Sequence, residues 1–197
     1  DGALIYLSLG SLGAADVALM QRLVDLLGRT DHRVIVSKGP LADEITLHPN
    51  MTGEGFLPQP AILPQVDLVI THGGNNTVTE CLHFGKPMVV LPLFWDQYDN
   101  AQRVDETGYG RRLDTYAHEP GELRDAIAAL LADEELRARL ATTSRRLQGV
   151  RGTERAASVT CRRLDVDAIK LGVPKHLAVC NAIERDAARE AQVADAG

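Results

Sequence analysis

Six short strand-like runs alternate with segments of helical periodicity, and this alternation narrows the fold more than any other feature of the chain. The runs are residues 4–9, 34–37, 51–56, 68–71, 88–91 and 111–113; helical patterns fill 16–27, 76–84 and 97–106. The clearest runs are near-continuously apolar, as in LIYLSL, rather than alternating apolar and polar. Strands of that kind are buried on both faces, and helices between them supply the cover, so the pattern predicts an α/β fold built on a doubly wound parallel sheet. After Glu119 the chain turns helical. Leu123, Ile127, Leu130 and Leu131 form one stripe, and Leu136, Leu140 and Leu147 form another.

With 197 residues, 45% of them hydrophobic, the chain can bury about 70% of its unfolded surface, enough for one core. Residues 1–160 are expected to form that domain. Residues 161–197, broken by Gly172 and Pro174 and ending in alanines and charges, are expected to be a peripheral tail. A net charge of −6 argues against a surface that tracks nucleic-acid phosphates. The uncharged stretch from Pro87 to Trp95 is about half of the ~20 residues that a membrane helix needs. Cys81, Cys161 and Cys180 form no CxxC pair, so neither a disulfide framework nor a zinc site is expected. These features, with no signal-peptide pattern at the start, lead to the expectation of a soluble, cytoplasmic protein.

In an open α/β sheet, ligands bind beyond the carboxyl ends of the strands. Three such places carry chemistry. In the first, Leu9-Gly10-Ser11-Leu12-Gly13, glycines let the backbone approach an anion and Ser11 offers a donor. Its spacing is not GxGxxG, and on this fragment alone an ordinary strand-to-helix turn is the simpler reading. In the second, Thr71-His72-Gly73-Gly74-Asn75-Asn76-Thr77 leads a strand into a helix whose free N–H groups favour a diphosphate. His72 adds a hydrogen bond or a charge there, or is simply a satisfied turn histidine. Glu80, one turn on, suits a ribose diol, yet Thr77-x-x-Glu80 also reads as a capping box. In the third, Trp95-Asp96-Gln97 ends a strand with groups suited to sugar hydroxyls, while Asp96 also fits a helix N-cap.

The segment from Phe56 to Gln97, FLPQPAILPQVDLVITHGGNNTVTECLHFGKPMVVLPLFWDQ, closely resembles the donor-binding signature of family 1 glycosyltransferases, including bacterial macrolide and plant secondary-product enzymes. The likeness rests on the aromatic-x-Pro-Gln opening, the His-x-Gly-x-Asn-Thr centre, Glu80, Gly85-x-Pro87, Pro92 and the closing Asp96-Gln97. It extends over about Ala3 to Ser158. The resemblance implies the C-terminal, Rossmann-like half of a GT-B fold that binds a UDP- or dTDP-sugar, the sugar nucleotide being a substrate and not a cofactor. It implies that Phe56 stacks near the base, that Leu57 and Gln59 lie by the nucleoside, and that Glu80 holds the ribose. Gly10, Ser11, His72, Gly74, Asn76 and Thr77 would surround the diphosphate, and Asp96 and Gln97 would bind the sugar.

The plant signature differs in carrying tryptophan at the positions of Phe56 and Asn75 and two more residues between Gln59 and His72, so this form looks bacterial. The resemblance further implies inverting transfer of a hexose to an acceptor hydroxyl. His72 and the helix end would stabilise the leaving diphosphate without a metal. The acceptor pocket and the general base, usually a histidine supported by an aspartate, would belong to an N-terminal domain, leaving this chain able to bind donor but nearly inactive alone. Two alternatives are a separate donor-binding subunit of a two-chain transferase and half of a nucleotide-sugar epimerase. Asp165 and Asp167 form a DxD pair in the unmatched tail and are read as surface charge.

Overall fold

The computed structural model describes residues 2–150, 152, 158 and 159. The chain divides into units Asp1–Leu147 and Gln148–Gly197, and the sheet with its helices belongs to the first. The tail expected over 161–197, with its DxD pair, lies outside the described residues.

Six parallel strands, β1 (Leu4–Ser8), β2 (Arg33–Ser37), β3 (Met51–Glu54), β4 (Leu68–Thr71), β5 (Met88–Val90) and β6 (Gly110–Arg112), form one sheet in the order β3-β2-β1-β4-β5-β6. Each matches an expected run to within two residues. Helices α1 (Gly10–Gly13), α2 (Val17–Leu27), α3 (Gln59–Ile62), α4 (Asn75–Phe84) and α5 (Gln97–Glu106) lie in the connections, and α6 (Pro120–Ala132) and α7 (Glu134–Gln148) follow β6. The order runs outward in both directions from β1 and β4, so the chain reverses its direction of travel across the sheet at that pair. Such a switch point opens a crevice at the carboxyl ends of the two strands.

The apolar runs are continuous because successive side chains enter two different cores. Ile5 and Leu7 of β1, Leu68 and Ile70 of β4 and Val89 of β5 pack under α2, α6 and α7 against Leu23, Leu27, Ile127 and Leu140. Their neighbours Tyr6, Val69, Met88 and Val90 face the other side, against Leu63, Cys81, Ala101 and Val104. Both leucine stripes after Glu119 reach the first core through Leu123, Leu130, Leu136 and Leu140, whereas Leu147 is half-buried. Among the described residues no helix is long and apolar enough to cross a membrane.

Local chemistry fixes where the helices begin and end. The Asp16 carboxylate accepts from the Leu19 N–H at 3.0 Å and starts α2 as an N-cap. Glu119 and Glu122 form a reciprocal capping box at α6. Gly85, with φ of 66°, closes α4 in the left-handed conformation. In the strand-to-helix turn after β1, Gly10–Gly13 winds into a single helical turn before α2.

The loop after β6 is held by Arg22 of α2, whose guanidinium donates to the carbonyls of Tyr116 at 2.9 Å and His118 at 2.5 Å. A planar fork satisfies both, and a flexible apolar chain satisfies neither. Replacing Arg22 by Met keeps the aliphatic stem and removes these charge-assisted bonds, so the folded state is expected to lose about 2 kcal/mol. Urea unfolding would register this as a lower midpoint with an unchanged slope.

Candidate functional site

The carboxyl ends of β1 and β4 lie side by side, with Ser8 in register with Thr71. Beyond them stand Gly10, two residues past Ser8, and His72, which follows Thr71 directly. Gly10 has φ of 68°, and a Cβ there would stand 2.8 Å from His72 Cε1; at Gly74 a Cβ would stand 2.6 Å from His72 Nε2. The imidazole is therefore clamped between two backbones, and both glycines are required by its bulk. Thr71 Oγ1 accepts from the Gly73 N–H at 3.2 Å and lies 3.4 Å from His72 Nδ1. Burial pushes the His72 pKa below its usual value, opposed in part by a hydrogen bond with the Ser8 backbone and by the Asp96 charge. The ring is thus neutral at neutral pH, with one donor and one acceptor nitrogen.

Helix α4 starts beside this ring. Gly74 is its N-cap, no side chain caps it, and its first turn carries no acid, so the first N–H groups and the helix dipole face outward. Asn75 and Asn76 are exposed there and Thr77 is buried. The capping-box reading of Thr77 and Glu80 is not realised, because the helix begins at Asn75, two residues before Thr77, and places it inside the first turn. Glu80 Oε2 instead accepts from Gln59 Nε2 at 2.7 Å, and the same amide reaches Thr77 Oγ1 at 3.3 Å. Gln59, Thr77 and Glu80, read from separate stretches of sequence, meet in one cluster. Phe56, following β3, is 86% exposed, while Leu57 packs against the second core and leaves chiefly its backbone to a ligand.

The loop after β5 completes the rim. Asp96 occupies the N-cap position of α5 but makes no capping bond; its Oδ2 accepts from Asn100 Nδ2 at 3.1 Å. The same Asn100 amide donates to the Gly73 carbonyl at 2.9 Å, joining the β4 and β5 loops. Gln97 is only 3% exposed, and its Oε1 accepts from the N–H groups of Leu93 at 2.9 Å and Phe94 at 3.1 Å. The carbonyl oxygen that the sequence offered to a sugar thus braces the loop, leaving the side-chain NH₂. Ser11 is exposed on the turn after β1. Sequence reasoning missed Asn100, whose one signal is its placement four residues after Asp96 on a helix.

Among the described residues, His48 and His118 do not join this site. His48 pairs with Asp25 at 2.9 Å, a histidine–aspartate arrangement, but His48 precedes β3 and Asp25 ends α2, which puts both at the opposite end of the sheet. His118 is buried, with Nδ1 2.6 Å from the Asp114 carbonyl. Among the described residues no group of three or more His, Cys, Asp or Glu side chains is arranged to hold a metal ion.

The family described as Erythromycin biosynthesis protein CIII-like, C-terminal domain, matches residues 21–161. The chain belongs to this family. Among curated relatives, the zeaxanthin glucosyltransferase of Pseudescherichia vulneris is 34% identical over 160 residues, covering 79% of this chain and 38% of that protein. The NDP-glycosyltransferase YjiC of Bacillus subtilis (strain 168) is 32% identical over 161 residues, covering 80% and 41%. Among solved structures, the glycotransferase of kitacinnamycin superposes with a TM-score of 0.75 at 33% identity, covering 82% of this chain and 43% of that one. The calicheamicin glycosyltransferase CalG4 follows with a TM-score of 0.66 at 25% identity, covering 75% and 38%. The chain thus spans about two-fifths of the length of these relatives and has the fold of the C-terminal, donor-binding half of GT-B glycosyltransferases.

The depressed His72 pKa has a consequence for this family member's stability. Above the unfolded value of 6.5 both states are neutral and His72 contributes nothing to pH dependence. As pH falls through 6.5, the unfolded chain takes up a proton that the folded chain resists, and stability is lost. NMR titration of the His72 ring is expected to give a midpoint below 6.5, and His72→Gln should flatten the loss of stability on the acid side.

Proposed function

We propose that this domain binds the nucleotide-sugar donor of an inverting, metal-independent hexosyltransferase, and that the acceptor site belongs to another domain or chain. The carrying observation is the uncapped start of α4 at the β1/β4 switch point, with the His72 imidazole clamped beside it. Helix dipole, free N–H groups and a neutral imidazole form a ready site for a diphosphate. Gly10, Ser11, Gly74, Asn76 and Thr77 would surround that diphosphate. Glu80 is prepared for a ribose diol, since Gln59 occupies one of its oxygens and orients the other. Phe56, exposed beyond β3, suits a base, with Leu57 beside it.

In the reaction an acceptor hydroxyl attacks the anomeric carbon, its proton passes to a base outside this chain, and the nucleoside diphosphate leaves with the bonding electron pair. One direct displacement inverts that carbon. Negative charge grows on the phosphate next to the sugar, where His72 and the α4 N–H groups act. A preorganised donor at developing charge contributes about 3 kcal/mol. Asp96, with one oxygen on Asn100, and the Gln97 NH₂ receive sugar hydroxyls. The positive field of the helix end does the work that a cation does elsewhere, which supports the metal-independent reading.

Titration calorimetry of the 197-residue chain with UDP, dTDP and their glucose conjugates tests this reading. Millimolar or tighter binding, abolished in Glu80→Ala, is expected and names the preferred base; no binding by any of the four removes the reading. In the parent enzyme, His72→Ala should lower turnover about a hundredfold, while added EDTA should leave turnover unchanged. The domain alone is expected to hydrolyse or transfer little.

A further inference from the structure

Trp95 is the one non-glycine residue with positive φ among the described residues, at 55°. A bulky side chain meets its own backbone in that conformation, and such strain persists only where the surroundings dictate it. Here they do. Just before it, Leu93 and Phe94 donate to Gln97 Oε1, and the Leu93 carbonyl accepts from the Tyr98 hydroxyl at 3.2 Å. Just after it, Asp96 is tied to Asn100 at 3.1 Å. Both sides of residue 95 are fixed, and the left-handed turn is what joins them.

The turn does not serve the core. Trp95 is 76% exposed and makes a T-shaped contact with Phe94, with centroids 4.8 Å apart and planes at 70°. This contact sets the tilt of the indole, and most of the ring remains open to solvent. The residue stands between that aromatic and the Asp96 carboxylate, on a loop that Asn100 joins to Gly73 beside His72. A flat apolar face next to a hydroxyl acceptor matches a pyranose, which presents a patch of C–H bonds on one side and O–H groups around its edge.

We infer that Trp95 is a specificity-determining residue for the transferred sugar, its indole taking the C–H face of a hexose or deoxyhexose whose hydroxyls reach Asp96. This rests on the donor-site reading above and adds a contact to the sugar alone. The nucleoside diphosphate, lying toward α4, would not touch the indole.

Trp95 is also the chain's single tryptophan, so its emission reports this contact directly. UDP-glucose or dTDP-glucose, whichever calorimetry shows to bind, is expected to shift or quench the emission, and the matching nucleoside diphosphate at saturation is expected to leave it nearly unchanged. Trp95→Gly accepts the positive φ without strain and should unfold at an equal or higher temperature. It should keep its affinity for the nucleoside diphosphate and bind the glucose conjugate about fivefold more weakly, with Trp95→Phe recovering part of the difference. Equal emission changes with and without the sugar, or an undiminished preference for the conjugate in Trp95→Gly, overturn the inference and leave the donor site standing. Failure of every nucleotide to bind in calorimetry overturns both.

Discussion

The site is organised around the volume of one imidazole. His72 leaves β4 where the chain changes direction across the sheet, and its ring fills the gap between the turn after β1 and the start of α4. The absence of a Cβ at Gly10 and at Gly74 lets these backbones close on it. Their closeness brings a helix terminus without a side-chain cap to the crevice that the strand order opens. A larger residue at either glycine would displace the ring, and displacing the ring would separate the two backbones that define the opening.

That clamp can be narrow because the sheet beneath it is rigid. β1 and β4 are inner strands, covered on one face by α2, α6 and α7 and on the other by α4 and α5, with two sets of apolar side chains interleaved along the same runs. Such close packing does not deform gradually. The positions of Ser8 and Thr71, and so of the residues that follow them, are inherited from these cores and not from the loops.

The fold was legible in the sequence because burial on both faces removes polar residues from inner strands and leaves unbroken apolar runs. The edge strand β6 contains two arginines yet appears within one residue of its expected place, since the flanking helices locate it. Less could be read in the site. Thr77 and Glu80 match a capping pattern that local spacing cannot refute; only the helix start at Asn75 and the distant amide of Gln59 decide it. Gln97 looked like a ligand group, whereas its carbonyl oxygen bonds backbone N–H groups three and four residues before it. Asn100 carried no signal beyond its spacing, because its second partner, Gly73, is remote in sequence. The handedness at Trp95 was hidden too, since nothing in an indole announces a conformation that a bulky residue avoids.

Asn100 has a geometric meaning beyond bracing. One of its hydrogen bonds ends on the Gly73 carbonyl, two residues before α4 starts, and the other on the Asp96 carboxylate. A single planar amide therefore spans the two loops and fixes the separation between them, much as a spacer fixes the jaws of a caliper. In a donor lying along this rim, the step from phosphate to sugar edge is gauged against that span. Discrimination by length, as distinct from discrimination by which hydroxyls are present, would then reside in one side chain that need not touch the ligand.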